Sequence, residues 1–151
     1  MRLFIALCLT LLLGCSEKEE NFVSSHHESS SILSFGFTPL DLAGKSKTEL
    51  RKIIADPIRC EAIKYGDKCY YRKNNFEIVF INGLSDWVTI HNPPGTFSNF
   101  SLSDVGMKDE PPSFSNNSVK RWDKTQEVLE ISVFAGNDDK IEYIYMKSVT
   151  K

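Results

Sequence analysis

The strongest constraint on how this chain folds is a hairpin pattern that occurs twice. Glu77-Ile78-Val79-Phe80 and Trp87-Val88-Thr89-Ile90 flank Asn82-Gly83, the strongest two-residue signal for a hairpin turn. About 55 residues later the pattern recurs, a spacing that marks internal repeats. Glu130-Ile131-Ser132-Val133-Phe134 and Ile141-Glu142-Tyr143-Ile144 flank a Gly136-Asn137-Asp138-Asp139 turn. All four runs are short and rich in β-branched and aromatic residues, so they read as strands. A third strand precedes each hairpin, at 68–72 and at 119–122.

A helix start precedes the first set. In Ser46-Lys47-Thr48-Glu49 the Ser46 hydroxyl can take the Glu49 amide, and the Glu49 carboxylate the Ser46 amide. Leu50, Ile53 and Ile54 follow at helical spacing, and Pro57 stops the run, giving a helix over about 46–55. In the second set, 103–107 allow only a helical turn, and Pro111-Pro112 stand in the place of Pro57. The breaker cluster His91-Asn92-Pro93-Pro94-Gly95 separates the sets. The expected fold is therefore α+β, one domain over 33–151: an antiparallel sheet with short helices on one face, built from two degenerate α-β-β-β halves at about 33–92 and 96–151. Alternation in Leu33-Ser34-Phe35-Gly36-Phe37 suggests one further short strand.

The N-terminus carries an address. Met1-Arg2 precede an apolar run from Leu3 to Leu13, and Ser16-Glu17-Lys18-Glu19-Glu20 end it. A membrane span needs about 20 apolar residues, so this shorter run reads as an export signal over 1–14. Leu12-Leu13-Gly14-Cys15 resembles the lipobox of bacterial lipoproteins. The resemblance implies diacylglyceryl transfer to the Cys15 thiol, cleavage after Gly14 and acylation of the new amine. Two or more chains, each buried CH₂ contributing about 0.8 kcal/mol, anchor stably. In such lipoproteins Asp after the cysteine commonly signals inner-membrane retention. Ser16 stands there instead, which points to the outer membrane with the domain in the periplasm. Residues 15–32 are polar, Ser-rich and aperiodic, as a flexible tether is. His26-His27 within it have no third ligand beside them.

Loss of the signal removes Arg2 and leaves 17 basic residues against 20 acidic ones, a net charge near −3. No basic patch is dense enough for nucleic acid. Of the four cysteines, Cys8 leaves with the signal and Cys15 carries lipid. Cys60 and Cys69 remain in an oxidising compartment, where one disulfide is the expected pairing. A metal site is the alternative, but no histidine or second cysteine pair sits nearby. With Cys60 after the helix and Cys69 on a strand, the bridge is expected to staple the helix exit to the sheet.

Leu42-Ala43-Gly44-Lys45-Ser46, then a helix, Pro57, a strand and a hairpin, resemble the SmpA/BamE-type outer-membrane lipoproteins and the related beta-lactamase-inhibitory-protein fold. Those folds open the helix with Gly, any residue, then Ser or Thr, and close it with Gly-x-Pro. Here Ala55-Asp56-Pro57 stand at the close, so the first glycine is missing. The resemblance spans about residues 40–147. It implies a protein-binding scaffold, with Cys60 and Cys69 matching the inhibitory fold's disulfide between helix end and strand. No contact residue carries over.

Catalytic readings find little. Gly44-Lys45-Ser46 end like a phosphate-binding loop, but Pro39 stands where that loop needs its first glycine. The domain holds one histidine, His91, and no Gly-x-Ser-x-Gly. Asp109-Glu110 and Asp138-Asp139 fall in turns, where solvated acids are common. No catalytic residue, metal ligand or cofactor is therefore assigned. Tyr71, Trp87, Trp122, Tyr143 and Tyr145 fall on strands, and such rings either pack in a core or anchor partners. Alternation sets Tyr143 and Tyr145 opposite Ile144 and Met146. If the aliphatic pair meets the helix, the tyrosine face is the candidate binding surface, and all five rings are candidate contacts. The expected role is a membrane-anchored scaffold for an envelope protein. Its rivals are an inhibitor, immunity or exclusion lipoprotein and, further off, a small-ligand carrier or enzyme.

Overall fold

A computed structural model describes residues 36–72, 75–125 and 128–149. The signal, Cys15, the tether and residues 33–35 of the expected first strand lie outside these. Gly36 and Phe37 form a bend rather than a strand.

The described residues begin with a 3₁₀ turn, Pro39–Leu42, closed by a bond from the Thr38 amide to Asp41 Oδ2 at 2.7 Å. Helix α1, Lys47–Ile54, follows. Its capping box forms as the sequence requires: the Glu49 amide donates to Ser46 Oγ at 3.3 Å, and the Ser46 amide to Glu49 Oε2 at 2.8 Å. Leu50 and Ile54, one turn apart, are buried on one face. The approach to α1 is tied to the sheet through Ser85, whose amide donates to Lys45 O at 2.8 Å and whose hydroxyl donates to Leu42 O.

Eight strands follow: β1 Arg59–Ile63, β2 Gly66–Tyr71, β3 Phe76–Ile81, β4 Leu84–His91, β5 Phe114–Ser115, β6 Val119–Asp123, β7 Val128–Ala135 and β8 Ile141–Ser148. They form one antiparallel sheet in the order β1-β2-β3-β4-β8-β7-β6-β5. Each set of four consecutive strands is a meander, and the two meanders join along β4 and β8. Asn82 and Gly83 take the positive φ angles, 51° and 80°, that a tight hairpin between β3 and β4 demands.

Three expectations need correction. Each meander has four strands, not three, because β1 and β5 add the outer edges. Among the described residues the second half opens on a 3₁₀ turn, Leu102–Val105, in place of a helix, since Gly106 closes it in the left-handed region and the chain runs on to Pro111 and Pro112. The Cys60–Cys69 disulfide forms, with the Cα atoms 4.1 Å apart, but it joins directly paired residues of β1 and β2. Cys60 belongs to a strand, so the bridge staples a hairpin rather than the helix exit.

The register divides the sheet into two faces. Pairs such as Ile78 with Val88, Ile90 with Ile144, and Ile131 with Met146 point to the side that carries α1. They form one cluster with Leu42, Leu50 and Ile54. Over the second meander the cover is the 96–107 segment, whose Phe97, Phe100, Leu102, Val105 and Met107 join the same core. Lys120 holds that segment down, donating to Ser98 O at 2.8 Å and Phe100 O at 3.2 Å. Burial lowers the Lys120 pKa, partly offset by Asp139 and Asp104.

Candidate functional site

The opposite face carries no helix or turn of the described residues, and its side chains run in rows across the strands. One row reads Arg59, Tyr70, Glu77, Thr89, Tyr145, Ser132, Arg121, Phe114, and so crosses all eight strands. The next reads Glu61, Lys68, Val79, Trp87, Lys147, Glu130, Asp123. A shorter third row holds His91, Tyr143, Phe134 and Val119. Trp87 and Tyr145 meet edge to face at 6.0 Å, while Phe134 and Tyr143 stack at 4.3 Å. His91 flanks Tyr143 at 6.4 Å. Trp87 stays 38 % exposed, which is high for indole at the middle of a sheet.

Charge on this face is arranged around the rings and largely satisfied. Lys68 bonds Glu77 at 2.9 Å, Arg121 bonds Asp123 at 3.2 Å, and Arg59 lies 3.7 Å from Glu61. Lys147 Nζ sits 5.3 Å above the Trp87 ring, and the Arg59 guanidinium 3.8 Å above Tyr70. The Tyr70 hydroxyl donates to Glu61 at 2.8 Å, which raises its pKa. Lys68 is raised mainly by its bond to Glu77. Tyr145 is pushed up to about 12, first by burial and then by the charges of Glu130 and Asp86, so its hydroxyl stays protonated as a donor at neutral pH. The surface is thus aromatic at its centre with cation and anion matched around it. That chemistry suits another protein surface and gives little purchase to a polyanion.

The sequence-derived candidates divide. Trp87, Tyr143 and Tyr145 meet on the open face. Tyr71 and Trp122 do not: both are buried in the core on the α1 side, at 0 % and 2 % exposure. Tyr71 pairs with Phe76 across β2 and β3, and Trp122 donates through Nε1 to Glu110 O at 2.8 Å. Burial pushes the Tyr71 hydroxyl up to about 12. Tyr70, Phe134, His91 and Phe114 belong to the open face and were not among the candidates. Each is placed only by the register of its own strand: Phe134 by β7 on β8, opposite Tyr143, Tyr70 by β2 on β3, His91 by β4 on β8, and Phe114 by β5 on β6.

Concavities among the described residues lie elsewhere. One of about 620 Å³ is formed at the β7–β8 turn by Asn92, Gly136, Asp138, Lys140 and Glu142. One of about 480 Å³ lies beside Trp122, between Phe100 and Pro111-Pro112. Neither touches the aromatic centre. Asp139, expected as a solvated acid, accepts from the Ser98 amide at 2.9 Å and from the Ser98 hydroxyl, and so clamps the 96–98 segment to the turn. Among the described residues no helix is long and apolar enough to cross a membrane, and no group of three or more His, Cys, Asp or Glu side chains lies close enough to hold a metal ion.

Comparison with protein-family models, curated proteins and solved structures finds no match for this chain.

Proposed function

We propose that this chain is a lipoprotein, anchored to the bacterial outer membrane through Cys15, whose periplasmic domain binds an envelope protein through the open face of its sheet and performs no catalysis. One observation carries the binding reading: the ring pairs Trp87–Tyr145 and Tyr143–Phe134 lie on the same open face, partly exposed, with the ion pairs Lys68–Glu77 and Arg121–Asp123 on the strands around them. Large rings at the middle of a rim of paired charges are the usual composition of an energetic centre in a protein interface. The lipobox at 12–15 carries the anchoring reading. The two meanders are read as degenerate copies, supported by the mirrored strand order about β4 and β8 and by the recurring hairpins. The similarity to SmpA/BamE-type lipoproteins and to the inhibitory-protein fold belongs to the same reading.

The test is crosslinking in cells that express the full chain with its own signal. Wild type is compared with a Trp87→Ala, Tyr145→Ala double variant. One envelope protein recovered with wild type and lost with the variant supports an assembly role, provided the variant melts normally. A secreted or foreign protein recovered at one-to-one stoichiometry instead selects the inhibitor or immunity role. Recovery of no protein by folded, anchored wild type defeats the binding reading. For the anchor, labelled palmitate enters wild type and not Cys15→Ala. Label in both overturns the lipobox assignment.

A further inference from the structure

The sheet has two edges, and they are unequal. β5 is two residues long, whereas β1 offers five, every one of them exposed. Among the described residues β1 pairs only with β2. A sheet edge is a row of unpaired amides and carbonyls, and proteins cover such a row or use it. Exposed apolar side chains gather here too: Ile63 ends the strand and Ile58 and Tyr65 flank it, at 37 %, 59 % and 66 % exposure.

The geometry points to a second copy of this chain as the occupant of the β1 edge, added antiparallel about a two-fold axis that passes between the two Cys60 residues. The backbone says which groups are available. Cys60 and Cys69 face each other with Cα atoms 4.1 Å apart, the spacing of a non-hydrogen-bonded antiparallel pair. The amides and carbonyls of Cys60 and, two residues on, Ala62 therefore turn away from β2 toward the open edge.

Side chains then choose the register. With Cys60 on the axis, Arg59 of each copy stands opposite Glu61 of the other, twice by symmetry. Just before the strand, Ile58 stands opposite Ala62 and Pro57 opposite Ile63, so apolar residues meet apolar ones; the Ile58 amide stays on Tyr70 O at 2.7 Å, and only its carbonyl is offered across the axis. Moving the axis by one residue, a slide of two between the strands, puts Glu61 against its own image, and like charges directly opposite are unfavourable. Arg59 and Glu61 both lie on the open face. The pairing therefore joins the two aromatic faces into one continuous surface on the same side of a longer sheet. The interface is isologous, as a closed dimer requires. The inference stands on the edge alone and does not depend on what the open face binds.

The full chain, purified in detergent, is measured by sedimentation equilibrium over a range from micromolar to sub-millimolar. Wild type is expected to dimerise reversibly. Arg59→Glu and Glu61→Arg each place two like-charge pairs across the axis, and each raises the dimer dissociation constant about 10-fold. The double swap, R59E with E61R, restores it to within about 3-fold. Ala62→Pro removes an outward amide without breaking a β1–β2 bond, and it abolishes the dimer. Since proline can also disturb the hairpin, the charge swaps decide the case if that variant melts early. A wild type that stays monomeric throughout the range, or a dimer unmoved by the single swaps, overturns the proposal.

Discussion

Ala55 shows at the scale of one residue what the sequence says and what it withholds. It ends α1, and its amide still bonds Arg51 O, yet its backbone lies at φ 71°, ψ −166°. That region is open almost only to glycine, and holding another residue there costs about 1–3 kcal/mol. The backbone at the close of α1 thus takes a conformation that suits glycine, and alanine holds it. Ala55→Gly is therefore expected to stabilise the domain by about 1 kcal/mol, raising its melting temperature by about 3 °C. An unchanged or lower melting temperature means the turn relaxes in solution. The reverse holds at Gly66, the first residue of β2. A Cβ there, at φ 157°, would lie 1.8 Å from the Phe80 carbonyl oxygen of the neighbouring strand. Gly66→Ala is expected to cost about 3 kcal/mol or more, because backbone rather than a movable side chain stands in the way. A urea titration measures it, and a loss under about 1 kcal/mol, at most about a fifth of a domain's stability, contradicts the contact. Tyr70 and Tyr71 set the limit of reading by residue type. They are adjacent and alike, and strand parity alone sends one to the open face and the other into the core. Choosing between them needs the register, which depends on pairing with β3.

At the scale of elements, what was legible is what is specified locally. The capping box fixed the start of α1 to the residue, and Asn82-Gly83 fixed the β3–β4 turn, because both depend on contacts within four residues. The edge strands were not legible. β1 buries no residue, so it has no alternation to betray it, and β5 is too short to have any. They exist because β2 and β6 offer them an edge, and that is a tertiary cause. The capping box also predicts a pH dependence. Glu49 is lowered from 4.5, first by the Ser46 amide and then by the Ser46 hydroxyl. A carboxylate depressed in the folded state adds stability above its unfolded pKa and loses it as pH falls through the folded value. Wild type is therefore expected to outlast Glu49→Gln in urea at neutral pH, with the gap closing as the pH drops below 4.5. A gap that is constant from neutral pH to pH 3 means the charge of Glu49 has no part in the cap.

On the scale of the whole molecule, the question is whether two meanders behave as one body. They share the β4–β8 seam, and the buried cluster runs across it without a break, from Leu50 and Phe76 through Ile144 to Val133 and Trp122. The covering segments touch as well, since Gly106 closes against Thr38 at the start of the Pro39–Leu42 turn. A continuous core predicts cooperative unfolding, whatever the history of the two meanders. The two tryptophans make this measurable, one in each meander: Trp87 on β4 and Trp122 on β6. In Trp87→Phe, fluorescence reports the second meander through Trp122 alone, while far-ultraviolet circular dichroism of the same sample reports the whole sheet. The two urea curves are expected to coincide. Ile144 lies on the seam, packed opposite Ile90 on one side and Val133 on the other, and is 1 % exposed. Ile144→Ala removes contacts to both meanders at once, and buried Ile→Ala changes cost about 2–5 kcal/mol. In the Trp87→Phe background it should shift both curves to lower urea by the same amount. If the Trp122 curve moves while the circular dichroism curve splits into two steps, the seam is a joint between separately stable units. The continuous surface across β4, β8 and β7 would then be able to flex at its aromatic centre, and partner binding would have to be measured with the seam as a variable.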